Sequence, residues 1–188
     1  MSTFRTVAST HRYQGFSAVR VDVLEGPSGR FTREVVEHPD AIAIVALDDA
    51  GRVALVRQYR HPLGTVLLEL PAGTLDVAGE SPEDAAHREL AEEVGLATDD
   101  LIALGGLWNS AGWSDERTEL FLARRTRPAP APAGFAAADE EAVMSVEWRP
   151  LDALVRAALG GELEDAKTVV GVLRARAVLD AGPSDAAA

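Results

Sequence analysis

Apolar and polar side chains alternate in two stretches, FSAVRVDVLE and RFTREVVE, on either side of GPSG. A period of two sends successive side chains to opposite faces of a strand, and the glycine- and proline-rich GPSG supplies a turn, so residues 16–37 read as a hairpin. AIAIVALDD, from Ala41, is almost continuously apolar at its start, as in a sheet member buried on both faces. After the turn at AGR, VALVRQYR and VLLELPAG read as two further strands, and a mixed or antiparallel sheet is expected.

From 82 to 94 the pattern turns helical, with complete punctuation. Ser81 is an N-cap, Pro82 takes the first helical position, Asp84 completes a pair resembling a capping box, and Gly95 terminates the helix. LIALGGLW and TELFLARR follow as strands around the loop NSAGWSDE. RPAPAPAGFAAADEE has no apolar pattern able to build a core and reads as a mobile segment. MSVEWRPL is a strand, DALVRAAL and EDAKTVVGVLRARAVL are amphipathic helices, and GPSDAAA is a disordered tail. No internal repeat is found.

Composition narrows the function classes. A chain of 188 residues with 47% hydrophobic content makes one globular domain, with room for a small appendage. No apolar run approaches the ~18 residues of a spanning helix. The start, MSTFRTVASTHRYQG, lacks the apolar centre of a secretion signal, so a cytoplasmic location is the expectation. Without cysteine there is no disulfide, thiol nucleophile or thiolate metal site, and any metal must be held by oxygen or imidazole. A net charge of −12 argues against a broad grip on nucleic acid. It leaves room for a small anion held by local arginines or a bridging cation.

RELAEEVGL, residues 88–96, crowds Glu89, Glu92 and Glu93 onto neighbouring helical positions. Like charges three or four residues apart repel by about 0.2–0.5 kcal/mol per pair. Arg88 can offset part of this by reaching Glu92, which leaves Glu89 and Glu93 suited to a hard divalent cation. A solvated acidic face is the alternative, and the wider motif decides against it. From Gly73 the chain reads GTLDVAGESPEDAAHRELAEEVGL, with Gly73, Glu80, Arg88, Glu89, Glu92, Glu93 and Gly95 in the order of the Nudix box, which this stretch resembles. Six residues separate Gly73 from Glu80 where the family has five. The extra one falls in the loop, so the helical spacing of the carboxylates should survive.

The resemblance implies an α/β fold, the Nudix α/β/α sandwich with a mixed sheet, carrying here a small N-terminal antiparallel β element. It implies hydrolysis of a nucleoside diphosphate linked to another moiety, with Mg²⁺ or Mn²⁺ held by Glu89, Glu93 and the carbonyl of Ala72. Arg88 would hold the loop and Glu92 in place. The flanks QGF, TREVVEHPDA, RQYR, ELPAG, SAGWSDER and DAKT resemble ADP-ribose pyrophosphatases over most of the chain. In such enzymes the N-terminal strands cross a homodimer and complete the partner's pocket. The expected division is therefore 1–40 as the exchanged β element, 41–180 as the hydrolase domain and 181–188 as the tail.

By this resemblance Phe16 stacks on adenine or is a hairpin core aromatic. Arg33 and Arg60 contact phosphate or ribose or lie on the sheet surface, and Glu116 is a substrate-side or metal-side glutamate. Glu140 or Glu141, before MSVEW, positions or deprotonates the water. Trp108 and Trp113 either line the pocket or fill the core. Ala111 departs from the family, where ADP-ribose-directed members typically carry proline. The other functions the resemblance leaves open are a pyrophosphatase for another nucleoside diphosphate sugar and a module that senses a nucleotide without cleaving it.

Overall fold

The protein is described from a computed structural model, which covers residues 3–136 and 142–182. Strands β1 (Arg5–Gln14), β2 (Ala18–Gly26) and β3 (Gly29–Glu37) form a three-stranded antiparallel sheet in that order. The β2–β3 hairpin turns at Gly26–Gly29, as its alternation predicts. Strand β1 was not legible in the sequence. RTVASTHRYQ is polar and almost wholly exposed, so no burial imposes a period of two on it. It is held by its ladder to β2 and by side-chain pairs such as Ser9 Oγ to Asp22 (2.6 Å) and His11 with Glu37 (2.6 Å).

The second sheet is mixed. It is built from β4 (Ala41–Leu47), β5 (Arg52–Arg60), β6 (Thr65–Glu69), β7 (Ala72–Thr74), β9 (Asp100–Trp108), β10 (Arg117–Arg124) and β12 (Ser145–Pro150), in the order β12-β5-β4-β10-β9 with β6 on β5 and β7 on β4. Only β4 and β10 run parallel. A small pair, β8 (Leu96–Ala97) with β11 (Arg127–Pro128), lies apart from it. The stretch VLLELPAG, one strand by pattern, is two: it leaves β5 after Glu69 and joins β4 at Ala72. Pro71, which has no N–H to donate to a ladder, stands at the break.

Strand β4 shows why the sheet sits between helices. Ile42, Ile44 and Ala46 pack with Ala85, Ala86 and Leu90 of α1 (Pro82–Val94). The alternate residues Ala43 and Val45 pack with Leu151 and Leu154 of α2 (Leu151–Gly160) and with Val172 and Ala175 of α3 (Ala166–Ala181). One strand thus feeds two cores, which is the physical reason its sequence is apolar at consecutive positions. Each such fully buried aliphatic side chain is worth roughly 1.5–3 kcal/mol. This is the expected α/β/α arrangement, with the three-stranded sheet as the small N-terminal β element.

Two further contacts set the geometry around the sheet's end. Helix α1 is capped as the sequence predicts: Ser81 Oγ accepts from the Asp84 N–H (3.1 Å), and Gly95 is left-handed and donates to Leu90. The loop after β9 is tied to β3, because Val36 N–H donates to the Trp113 carbonyl (2.8 Å) and Asp115 N–H to the Val36 carbonyl (3.2 Å).

Candidate active site

A cavity of about 510 Å³ opens beside β7 and α1. Ala72 and Gly73 of β7 and Glu89 and Glu93 of α1 line it. Positions four apart on a helix share a face, so α1 presents both carboxylates to the same space. Glu93 Oε2 accepts from the Ala72 N–H (2.9 Å), which ties helix to strand at the cavity wall. Gly73 is required by this approach, since a Cβ there would overlap the Glu89 carboxylate. The first glycine of the motif is therefore a steric condition for Glu89 to reach the cavity.

Arg88 and Glu92 do not line the cavity; they brace it. Arg88 donates through Nε and Nη2 to both oxygens of Glu80 (2.9 and 3.0 Å) and through Nη1 to Glu89 (2.6 Å) and Glu92 (3.0 Å). Its pKa is held above the ordinary guanidinium value, chiefly by the bonds to Glu80, while that of Glu80 is lowered by Arg88. The loop that carries the extra residue is thus pinned to the helix. The insertion is absorbed in a turn where Glu80 N–H donates to the Val77 carbonyl (3.1 Å) and Gly79 takes a φ of 84°, open to glycine without strain.

A second, partly buried part of the lining carries two cations, each paired with carboxylates. Arg60 grips Glu69 with Nε and Nη2 (2.7 and 2.6 Å), and Glu69 is 1% exposed. Lys167 reaches Asp165 (2.7 Å) and Glu69 (3.4 Å). Arg60, Asp165 and Lys167 line the cavity. The pKa of Arg60 is raised, mainly by its bonds to Glu69. Burial pushes the Asp165 carboxyl up, but the charge of Lys167 and hydrogen bonds from Lys167 and Thr168 outweigh it and hold the group low.

At the third side, Phe16 meets His38 edge-on with ring centroids 5.3 Å apart, and both line the cavity. His38 Nδ1 lies 3.8 Å from Glu116, which also faces the cavity, together with Asn109 and Gln58. Phe16 is 65% exposed, so it is a rim residue and not a hairpin core aromatic.

Of the residues singled out in the sequence, Phe16, Arg60, Ala72, Glu89, Glu93 and Glu116 come together in this cavity. Arg33 does not line it; its guanidinium stacks on Phe31 at 4.6 Å and donates to the Thr32 carbonyl (2.8 Å). Neither tryptophan does what was expected. Trp108 (57% exposed) and Trp113 (60% exposed) neither line the cavity nor fill the core, because they sit at the end of β9 and in the surface loop beyond it. Glu140 and Glu141 lie outside the described residues. His38, Gln58, Asn109, Glu69, Asp165 and Lys167 were not singled out. ELPAG and DAKT contain three of them, and the chain's one lysine was a signal in plain view.

The carboxylates fit a hard divalent cation in chemistry: oxygen donors only, two of them on one helical face. Among the described residues no three carboxylate or imidazole side chains are already grouped as a metal site.

A mixed sheet lies between helices, and a carboxylate-bearing helix and the paired cations Arg60 and Lys167 share one cavity. Residues 37–170 match the NUDIX domain family, and the chain belongs to the Nudix family. It is 44% identical over 177 residues to an ADP-ribose pyrophosphatase of Mycobacterium tuberculosis, covering 93% of this chain and 84% of that one. It is 34% identical over 155 residues to a methanol dehydrogenase activator of Bacillus methanolicus, covering 82% of each. In fold it is similar to a solved structure described as an ADP compounds hydrolase, with a TM-score of 0.81, 23% identity and 96% of both chains covered.

Proposed function

We propose that this protein is a metal-dependent pyrophosphatase of nucleoside diphosphate sugars, and that its substrate is ADP-ribose, cleaved by water to AMP and ribose 5-phosphate. The observation that carries the reading is the convergence of Glu89 and Glu93 with Arg60 and Phe16 on one cavity. Its similarity to the M. tuberculosis ADP-ribose pyrophosphatase over nearly the whole chain supports the substrate.

Glu89, Glu93 and the Ala72 carbonyl would hold Mg²⁺ or Mn²⁺, the divalent ions in keeping with the family. When bound, such an ion neutralises diphosphate charge and lowers the pKa of the attacking water. Arg88 keeps Glu89 and Glu92 from repelling each other and fixes the loop through Glu80. Arg60, already aligned by Glu69, presents its remaining nitrogen to a phosphate, a task suited to a planar guanidinium. Phe16 with His38 offers an aromatic edge for adenine. Glu116 lies on the substrate side, and Glu140 or Glu141 handles the water. A homodimer in which residues 1–40 cross to the partner brings Arg33 to the second pocket. That division, with 41–180 as the hydrolase domain and 181–188 as a tail, and a cytoplasmic location belong to the same reading. Among the described residues no helix is long and apolar enough to cross a membrane.

Ala111, in place of the proline typical of ADP-ribose-directed members, favours a second reading: a different nucleoside diphosphate sugar as substrate. The test is kcat/KM for ADP-ribose against ADP-glucose, GDP-mannose and NADH under the same metal. ADP-ribose is expected to lead. A tenfold preference for a rival, about 1.4 kcal/mol of transition-state discrimination, overturns the substrate and leaves the chemistry standing.

A further inference from the structure

Lys167 is the only lysine in a chain whose other strongly basic side chains are all arginine. It stands at the first turn of α3, lines the cavity, and its side chain is 16% exposed. Its ammonium lies between two carboxylates, Asp165 at 2.7 Å and Glu69 at 3.4 Å. Glu69 is also the anchor of Arg60. Two cations are thus held in the cavity lining by one buried carboxylate, Glu69, and one partly buried one, Asp165, and neither cation is used up. An ammonium has three donors, of which the hydrogen bond to Asp165 engages one, while Glu69 stands at ion-pair distance; a guanidinium has five, and the bonds to Glu69 leave Nη1 over.

We propose that Lys167 is a substrate-binding residue: a remaining N–H of its ammonium, in the lining it shares with Arg60, donates to an anionic phosphate oxygen of the bound nucleotide sugar. A compact ammonium suits this place, because its donors rotate and can meet Asp165 while another turns to an incoming anion. Holding the cations in advance also lowers the ordering cost when the anion arrives. This rests on the function proposed above, since it presupposes a diphosphate ligand.

One lysine makes the test direct. The wild-type protein with Mg²⁺ is treated with an amine-acylating reagent, with and without the non-hydrolysable α,β-methylene analogue of ADP-ribose, and acylation of the Lys167 peptide is followed by mass spectrometry. The saturating analogue should slow that acylation severalfold, adenosine should not, and the chain's α-amino group should be unaffected by either. In parallel, Lys167→Met should raise KM about ten- to hundredfold, the scale of one charge-assisted hydrogen bond, with kcat within about threefold of wild type. Lys167→Arg should recover part of that loss.

Unchanged acylation of Lys167 at a saturating analogue concentration overturns the proposal. So does a Lys167→Met enzyme with wild-type KM, and so does a raised KM without protection, which would mean that Lys167 acts only through Arg60. The substrate reading fails separately. If ADP-ribose is not turned over but another nucleotide sugar is, and the methylene analogue of that sugar protects Lys167, the role of Lys167 stands and the choice of ADP-ribose falls.

Discussion

Glu89 reaches the cavity only because residue 73 has no side chain, so two residues far apart in chemistry act as one device. Gly73→Ala should lower turnover at least about tenfold while costing about 1–3 kcal/mol of stability, since the new methyl must displace the Glu89 carboxylate. Steady-state kinetics and thermal unfolding of the same preparation separate the two effects. Glu89→Gln and Glu93→Gln should each lower kcat by a hundredfold or more at saturating Mg²⁺ and remain folded by circular dichroism, because each removes a charged donor at nearly constant shape. Near wild-type turnover in either variant removes the metal from this helix. The sequence disclosed the carboxylates through their spacing. His38 and Gln58 lie within the flanks TREVVEHPDA and RQYR without being singled out there, and Asn109 lies outside every flank, because single polar residues on strands and loops carry no period and become neighbours only when the fold brings them together.

At the scale of elements, a segment was legible where local chemistry determined it. Helix α1 is fixed by its own caps, and its sequence states them. Strand β4 is apolar throughout because both of its faces are buried. Strand β1 was hidden because its partner strand, and not its own side chains, makes it a strand. The split of β6 from β7 depends on a change of partner that only Pro71 hinted at. Helix α3 offers a test in which the sign is determined. Asp165 caps it, accepting from the Thr168 N–H (2.9 Å), and its folded pKa lies below the ordinary carboxylate value. A depressed folded pKa contributes stability that is present above the unfolded value of about 3.9 and is lost as pH falls through the folded one. Asp165→Asn should therefore cost about 1–2 kcal/mol at neutral pH, steady from pH 6 to 8, and the deficit should shrink below about pH 4. Urea unfolding across that range measures it. A deficit that grows toward acid contradicts the assigned ion pair with Lys167.

For the whole molecule, the three-stranded sheet is the part with the most exposed of the long strands. Its outer strand is nearly all exposed, Phe4, Tyr13 and Phe16 are exposed on or beside it, and Val36 and His38 tie its end to the loop after β9. The homodimer proposed above would cover this sheet, and light scattering at micromolar concentration should then give about twice the chain mass of 19.9 kDa. A monomer mass would remove the reason to place Arg33 in a partner's pocket. The strongly acidic chain can still receive an anionic diphosphate, because Arg60 and Lys167 line the same cavity as Glu89 and Glu93, which suit a cation. The central claim, that this cavity hydrolyses the pyrophosphate of ADP-ribose, is tested most directly by identifying the products. Incubation of the protein with ADP-ribose and Mg²⁺, followed by chromatography, should yield AMP and ribose 5-phosphate in equal amounts, and neither with Glu93→Gln. Intact ADP-ribose under both Mg²⁺ and Mn²⁺, or release of ADP and free ribose, would contradict it.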